Sequence, residues 1–565
     1  MVRFSRSPRK KIRHGQPDIP YEEIRTVNPS RGLNQLVADI LVDNKDASDL
    51  SDIEFAEGGV AQKRPGYISI GSGITAAANG MGVYKNATVS TLMIADSGQI
   101  KQYNGTAWVA LPGAITIDAA ASVHMTSVDK KMYVWDGISG GTVWDGSTYA
   151  RPGTMPKGKF SIIYKDYHIV SGVEGQENRI YISGVKEPSR FTRLSPPTDT
   201  TKIDLSKVAE VPGATVFTGD QSPNAIDINR YDGDKVTGFG FFQDALIIFK
   251  ENSIFQMSFN DSNIPVIQRV TDAYGCVAHG SIATVENDTY FLSRNGVYVL
   301  GNEPNYYASI RTNELSSRIK ITMETITAEL YERCRSIYWD NRYMLSVPTG
   351  IAGNDLLIVY DKRFYAWSLW RNINASALAV YIDEKNRRQL VFTDSTKPTL
   401  NQFTWGIYND NGEPINAWWT SRAFHGKKVD LEKYWKEIRP IFRQITGTVN
   451  IDFFDENGSF GKTFSIDAAV VGGLGYDQFA ATEFGMALAD TYTLADLGFA
   501  DTSNQGSSAT DGSNDVYSVA IKRDARTFKF RISNNEVDET FMLLGWAIQF
   551  RNKDSDRFDG SKTYR

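Results

Sequence analysis

Residues Gly137-Ile138-Ser139-Gly140-Gly141 spell the Gly-x-Ser-x-Gly pattern that presents a nucleophilic serine at a sharp strand-to-helix turn. Here glycine-rich hairpin sequence lies on both sides, so the helix that such an elbow needs does not follow and a catalytic serine is not expected. The chain holds no Gly-x-x-x-x-Gly-Lys-Ser/Thr run and no His-Glu-x-x-His, the commonest signatures of nucleotide hydrolysis and zinc proteolysis. Its histidines, His14, His124, His168, His279 and His425, are scattered, and none stands at helical ligand spacing from another His or Cys. Cys276 and Cys334 form no Cys-x-x-Cys cage and no disulfide framework, which points to synthesis in a reducing compartment. Acidic turns at Asp232-Gly233-Asp234, Asn409-Asp410-Asn411-Gly412-Glu413 and Asp455-Glu456-Asn457-Gly458 offer oxygen ligands. None completes a twelve-residue calcium loop, and ordinary β-turn chemistry accounts for each. A glycosidase needs two carboxylates that linear sequence does not reveal. The Ser-x-Asp-x-Gly-x-Thr-Trp turn of sialidase blades is absent. No catalytic residue, metal ligand or cofactor is therefore expected, and the expected answer is not an enzyme.

The elements that position these residues are short strands. From about Thr91 to Trp405 one theme recurs: an apolar or aromatic run, a turn of Gly, Asn or Asp, then a second run. Turns stand at Asp96-Ser97-Gly98, Asn104-Gly105, Asp136-Gly137, Asp145-Gly146, Lys165-Asp166, Gln243-Asp244, Glu251-Asn252, Asn287-Asp288, Asn295-Gly296, Asp340-Asn341 and Asp361-Lys362. Starts recur roughly every 30 to 50 residues, the span of a four-stranded propeller blade, with a wider gap around Arg193 to Asp234. A sandwich rarely needs so many short strands. The fold class predicted is all-β: a propeller of six or seven blades over 71–414, entered by a segment at 28–70 that is also the candidate to close it, and followed by an antiparallel sandwich or barrel over 415–565. Longer strands are expected there at Ile415 to Phe424, Tyr434 to Phe442, Thr448 to Phe454, Val516 to Ile532 and Thr540 to Phe550. One amphipathic helix is predicted, N-capped by Asn313 and ending near Arg333, because Leu315, Ile319, Met323, Ile326 and Leu330 fall on one face.

Two charged stretches stand outside this pattern. Arg3, Arg6, Arg9, Lys10, Lys11 and Arg13 carry no intervening acid and precede no apolar run, so residues 1–27 read as a basic arm rather than a secretory signal. Such an arm either stays disordered or docks on an acidic neighbour or nucleic acid. Between Lys462 and Lys522 there is no Lys or Arg, while Asp467, Asp477, Glu483, Asp490, Asp496, Asp501, Asp511 and Asp515 stand amid Gly, Ala, Ser and Thr. This excursion, 463–521, reads as acidic and weakly structured. Over all 565 residues, 61 Lys plus Arg meet 66 Asp plus Glu, a formal charge of −5 that excludes a strongly basic nucleic-acid binder. No apolar run is long enough for a membrane helix.

Asn28-Pro29-Ser30-Arg31-Gly32-Leu33-Asn34, then Asp49 to Phe55, then Gly58-Gly59-Val60-Ala61-Gln62-Lys63-Arg64-Pro65-Gly66, resembles the opening of bacteriophage tail nozzle proteins, the tubular-protein-B-like or packaged DNA stabilisation class. Asn178 to Ser183 with Pro188 and Phe191, Leu246 to Ile254, and Leu292 to Val297 are similar to that family's blade sequences in the same order, as are Trp418-Trp419-Thr420-Ser421 and Lys433 to Arg439 to the strand pair that follows. The resemblance runs from about residue 28 to 440, and the acidic excursion has no counterpart in it. It implies a structural virion protein of the tail, made in the host cytoplasm. Such proteins form a homo-hexameric ring below the head-to-tail adaptor, contact other tail proteins or fibres, and conduct and gate phage DNA without sequence-specific binding. On this reading Arg3 to Arg13 would contact a virion protein, and Asp477, Glu483, Asp490 and Asp496 would face the channel. Two other classes stay open: a receptor- or glycan-binding tail component with aromatics exposed on one propeller face, and a propeller glycosidase.

Overall fold

The computed structural model describes residues 20–86, 90–191, 224–259, 265–302, 310–383, 385–467 and 515–553. Strands dominate it, and the two-residue turns seen in the sequence do most of the chain reversal. Asp129-Lys130, Lys165-Asp166 and Asp340-Asn341 hold both central residues at positive φ, between 45° and 67°, the mirror-image turn whose twist matches the flanking strands.

Seven four-stranded antiparallel units follow in order. The first is Gly80–Lys85, Ser90–Asp96, Gln99–Tyr103 and Trp108–Ala110; the second is His124–Val128, Lys131–Trp135, Thr142–Trp144 and Tyr149–Ala150. The third runs Phe160–Tyr164, Tyr167–Ser171, Arg179–Ile182 and Asn224–Asp227, so the wide gap in the repeat lies inside this blade, before its last strand. The fourth to sixth start at Val236–Phe242, Ala283–Val285 and Arg335–Trp339. The seventh takes three strands, Ala375–Ile382, Arg388–Asp394 and Leu400–Thr404, and its fourth, Gly66–Ile70, from the far N-terminal side, paired Leu400↔Ile70 through Thr404↔Gly66. The first strands of successive blades lie against one another, and that of the seventh lies against that of the first. The ring is closed: a seven-bladed β-propeller, whose radial closure leaves only short sheet edges. The closing strand joins first and last blades non-covalently, its Ile70 paired with Leu400, 330 residues further along the chain.

The second body is a sandwich. A seven-stranded sheet is built on the long pair Lys433–Thr446 and Thr540–Asn552, and a five-stranded sheet runs Asp49–Ser51, Ala417–Thr420, Lys529–Asn534, Thr448–Asp455 and Gly458–Asp467. Facing aromatics close it, with Trp419 and Trp546 ring centroids 4.8 Å apart and Trp435 and Phe528 5.3 Å apart. Such pairs add about 0.5–1.5 kcal/mol each beyond their area burial.

Several expectations need correction. Residues 22–27 are not part of an arm: Glu22–Val27 pairs along its whole length with Thr540–Asn552. Of the segment 28–70, Asp49–Ser51, Ile53–Ala56 and Val60–Lys63 belong to the sandwich, and only Gly66–Ile70 enters the propeller. Val516 to Ile532 is not one strand. Val519–Ala525 lies in the seven-stranded sheet and Lys529–Asn534 in the other, the chain crossing at 526–528, where the Glu456 carboxylate accepts the Arg526 and Thr527 amides at 3.1 and 3.2 Å.

The long helix does not form. Asn313 lies in the strand Ile310–Glu314, opposite Val299, and only Lys320–Met323 is α-helical, between 3-10 turns at Ser317–Ile319 and Ala328–Arg333. The apolar stripe itself is buried at Ile319, Met323 and Ile326. Helix propagation fails because the hydroxyls find other work: Ser316 Oγ accepts the Val297 amide at 2.9 Å, Thr325 Oγ1 donates to the Thr322 carbonyl at 2.7 Å, and Thr327 is extended. Among the described residues no helix is long and apolar enough to cross a membrane.

Candidate functional site

The charged residues of the basic arm, Arg3, Arg6, Arg9, Lys10, Lys11 and Arg13, and those of the acidic excursion, Asp477, Glu483, Asp490 and Asp496, lie outside the described residues. Those within them resolve into structural chemistry. The Gly137–Gly141 run is a turn in which Asp136 Oδ1 accepts the Ile138 and Ser139 amides at 3.0 and 2.7 Å. Burial alone would raise the Asp136 carboxyl. The amides of Asp118, Ser139 and Ile138 outweigh it and hold the group below the usual carboxylate range. Asp232 is the counter-ion of the buried Lys250 Nζ at 2.5 Å, Asp234 accepts from Asn252 and Ser253, and Asp455 accepts the Asn457 amide. Among the described residues no group of three or more His, Cys, Asp or Glu is placed to hold a metal ion. Of the exposed aromatics on the propeller, Tyr231, Tyr365 and Trp405, at 75%, 71% and 45%, stand on connections of different blades.

Of the segments that carry the family resemblance, Asn28 to Asn34, Asp49 to Phe55 and Gly58 to Gly66 lie at the joint between propeller and sandwich, whereas Asn178 to Ser183, Leu246 to Ile254 and Leu292 to Val297 are strands of blades three, four and five. Gly32 (φ 74°) is pressed against blade six, where a Cβ would come 2.5 Å from the Trp367 carbonyl oxygen, and the Leu33 amide donates to that oxygen at 2.9 Å. Arg64, buried, forks its Nη1 and Nη2 onto the two oxygens of Asp410 at 2.8 and 2.7 Å and gives Nε to Asp52 at 2.6 Å. Burial pulls the guanidinium down, but Asp52 and Asp410 overcome it, so it stays protonated. Beside it, burial pushes Lys63 down to about 8, while its Nζ donates to Asn534 Oδ1 and the Glu536 carbonyl at 2.7 and 2.9 Å. A second buried cation, Arg342 of blade six, meets Glu54 and Asp361 at 3.3 and 3.4 Å. Gly58 to Gly66 is thus a strap whose polar residues lock the two bodies together. One apolar core, from Leu33 and Trp367 to Trp435 and Trp546, runs through both.

The other concentration of polar groups is on the propeller axis. At the end where the first strands begin, His124 of blade two and His279, in the 3-10 turn His279–Ser281 before blade five, meet edge to face with centroids 4.7 Å apart, and Phe160 of blade three stacks on His279 at 4.9 Å. Arg335 of blade six lies over Gly280, where a Cβ would come 2.7 Å from its Nη1, and donates to the carbonyls of Glu332 and Cys334 at 2.7 and 2.8 Å and to Ser122 Oγ. Burial pushes His124 down to about 4 and His279 well below its ordinary value, with their mutual repulsion and Arg335 adding to the effect on His279. Sequence reasoning missed both the lock and this neck, because their members are hundreds of residues apart and only ring closure joins them.

No family model and no curated protein matches the chain. Among solved structures, the extracellular domain of a one component system from B. thetaiotaomicron aligns over 71% of this chain at 9% identity and a TM-score of 0.36, the match spanning 44% of that domain's chain. BBS1N in complex with ARL6DN aligns over 60% of this chain and 98% of its own at 11% identity, TM-score 0.36. YCF48 bound to D1 peptide aligns over 62% and 97% at 8% identity, TM-score 0.36. The propeller assignment rests on the strand pairing itself.

Proposed function

We propose that this chain is a structural subunit of a bacteriophage tail, a nozzle protomer that forms a ring of six below the head-to-tail adaptor and conducts and gates the genome without catalysis. The observation that carries the reading is the place of the motif-bearing segments. Asn28 to Asn34 and Gly58 to Gly66 line no cleft; they strap the propeller to the sandwich through buried ion pairs and close-packed glycines. A wall that holds pressurised DNA needs two bodies fixed in one orientation, and Arg64 with Asp52 and Asp410 supplies that. The overall charge of −5 suits a duct through which DNA slides, because Lys and Arg contacts to phosphate release counterions and hold the duplex. The arm, Arg3 to Arg13, is proposed to dock on an acidic neighbouring virion protein, and Asp477, Glu483, Asp490 and Asp496 to face the lumen or its mouth.

Two-dimensional electron-microscopy class averages of the purified protein, and of particles carrying it, test the reading. A six-fold ring with a central hole is expected. Peripheral spikes or fibres without a ring would instead place the chain among receptor-binding tail components, and a glycan array on the free protein would then give positive spots.

A further inference from the structure

We propose that the end of the propeller where the first strands begin is a binding site for a small inorganic oxyanion, held by Arg335, Ser122 and His279, with His124 linking its occupancy to protonation. Arg335 makes no ion pair with a carboxylate among the described residues. The nearest acid, Glu332 on the turn Ala328–Arg333, gives its carboxylate to Lys159 at 3.2 Å and offers Arg335 only a backbone carbonyl. Three of the five guanidinium N–H groups are used, on Glu332, Cys334 and Ser122. Two are left for a ligand.

The imidazoles are oriented by their backbone partners. His279 Nδ1 accepts the Phe239 amide at 3.3 Å, which leaves the proton on Nε2, and no protein group fills that N–H among the described residues. His124 Nε2 donates to the Ser161 carbonyl at 3.0 Å, so a second proton arrives at Nδ1 and adds a donor. Ser122 Oγ receives Arg335 and has its own O–H to give. His124, His279 and Arg335 are half-buried rather than sealed off, so solvent reaches them. Of the groups packed here, Lys159 before blade three and Arg335 on blade six are basic, Glu332 is paired with Lys159, Cys334 and Cys276 are buried thiols, Thr126 and Ser161 contribute hydroxyls, and the blade-four strand presents Gly238 and Phe239. A guanidinium, two imidazoles and a hydroxyl that converge without an acid repel one another on protonation, and a tetrahedral oxyanion removes that repulsion while taking the free donors.

Inorganic sulfate is the probe, because its charge is constant between pH 5 and 8. Calorimetric titration of the full chain should show one site at both pH 7.5 and pH 5.5. If bound sulfate returns His124 from about 4 to its ordinary value near 6.5, affinity should be about tenfold tighter at pH 5.5. Arg335→Gln should abolish the heat, and His124→Asn should keep binding at pH 7.5 but lose the tenfold gain. Should Arg335→Gln fail to fold, Ser122→Ala, on the loop before blade two, should weaken binding with the fold intact. No saturable heat with folded wild-type chain overturns the site. So does equal binding by wild type and both Arg335→Gln and Ser122→Ala, which would put the sulfate elsewhere.

Discussion

His168 shows how far a single residue in this fold departs from its chemistry in water. It is 0% exposed, donates Nδ1–H to the Pro188 carbonyl at 2.9 Å, and sits among Tyr133, Trp135 and Phe191 with ring centroids 4.8 to 5.8 Å away. Among the described residues its Nε2 is buried without a hydrogen-bond partner, so a proton there has nothing to donate to. Burial accordingly pushes it down to about 4. The unfolded chain takes up that proton near pH 6.5 and the folded one only near 4, so the native state loses stability as pH falls through this window and is unaffected above it. Between pH 7.5 and 4.5 the loss should be about 2.5 kcal/mol from this residue. Comparing denaturant midpoints of wild type and His168→Asn at the two pH values checks it: the variant keeps a donor for Pro188 and should lose that much less on acidification. An equal loss would place the acid sensitivity on other groups. Arg64 makes the opposite point about a buried charge. Arg64→Met leaves Asp52 and Asp410 buried without their cation, and the cost expected is about 3 to 5 kcal/mol, read as a lower denaturant midpoint. A smaller cost would mean that solvent reaches the carboxylates once the side chain is shortened.

At the scale of elements, what was legible in the sequence was local. Asp-Gly, Asn-Gly and Asp-Asn turns mark hairpins because their backbone preference needs no tertiary help, and Lys165-Asp166 and Asp340-Asn341 are turns in the structure. The stripe Ile319, Met323, Ile326 was also legible as a buried face, but its conformation was not: Ser316 and Thr325 gave their hydroxyls to backbone groups, one of them, Val297, on a neighbouring strand. Long-range pairing was legible only as the expectation that the segment 28–70 closes the ring, without the strand or its register. Glu22–Val27 reads as the tail of a basic arm and lies on Thr540–Asn552, and nothing near Gly66 announces that it pairs with Thr404. That closure makes Gly66 the most demanding glycine of the fold. A Cβ there would come 1.8 Å from the Asn409 carbonyl oxygen, so Gly66→Ala must displace either the closing strand or the Asn409–Asp410 strand that carries the Arg64 partner. Amide hydrogen exchange should then speed up in Leu400–Thr404 and Ala375–Ile382 well before it does in blades three and four. Uniform protection across the blades would show that the seventh tolerates the shift.

For the whole molecule the open matter is what surrounds the acidic stretch between Lys462 and Lys522. Strands anchor both its ends on the sandwich, Gly458–Asp467 on the five-stranded sheet and Asp515–Val516 on the seven-stranded one. Eight carboxylates with no Lys or Arg among them are tolerable only where water is plentiful, which a solvated outer surface and a water-filled lumen both provide. The two differ in what DNA feels. In a lumen, like-charge repulsion keeps the duplex centred; reversing the sign at Asp477, Glu483, Asp490 and Asp496 would replace repulsion by phosphate contacts that release counterions and slow the chain's passage. Particles carrying all four as Lys should eject their genome more slowly, and the delay should grow as ionic strength falls, because the Debye length lengthens from about 8 Å at physiological salt to about 30 Å at 0.01 M. Slower ejection that does not depend on salt would indicate a steric defect in the ring. Unchanged kinetics in fully assembled particles would put the stretch on the outside of the proposed ring.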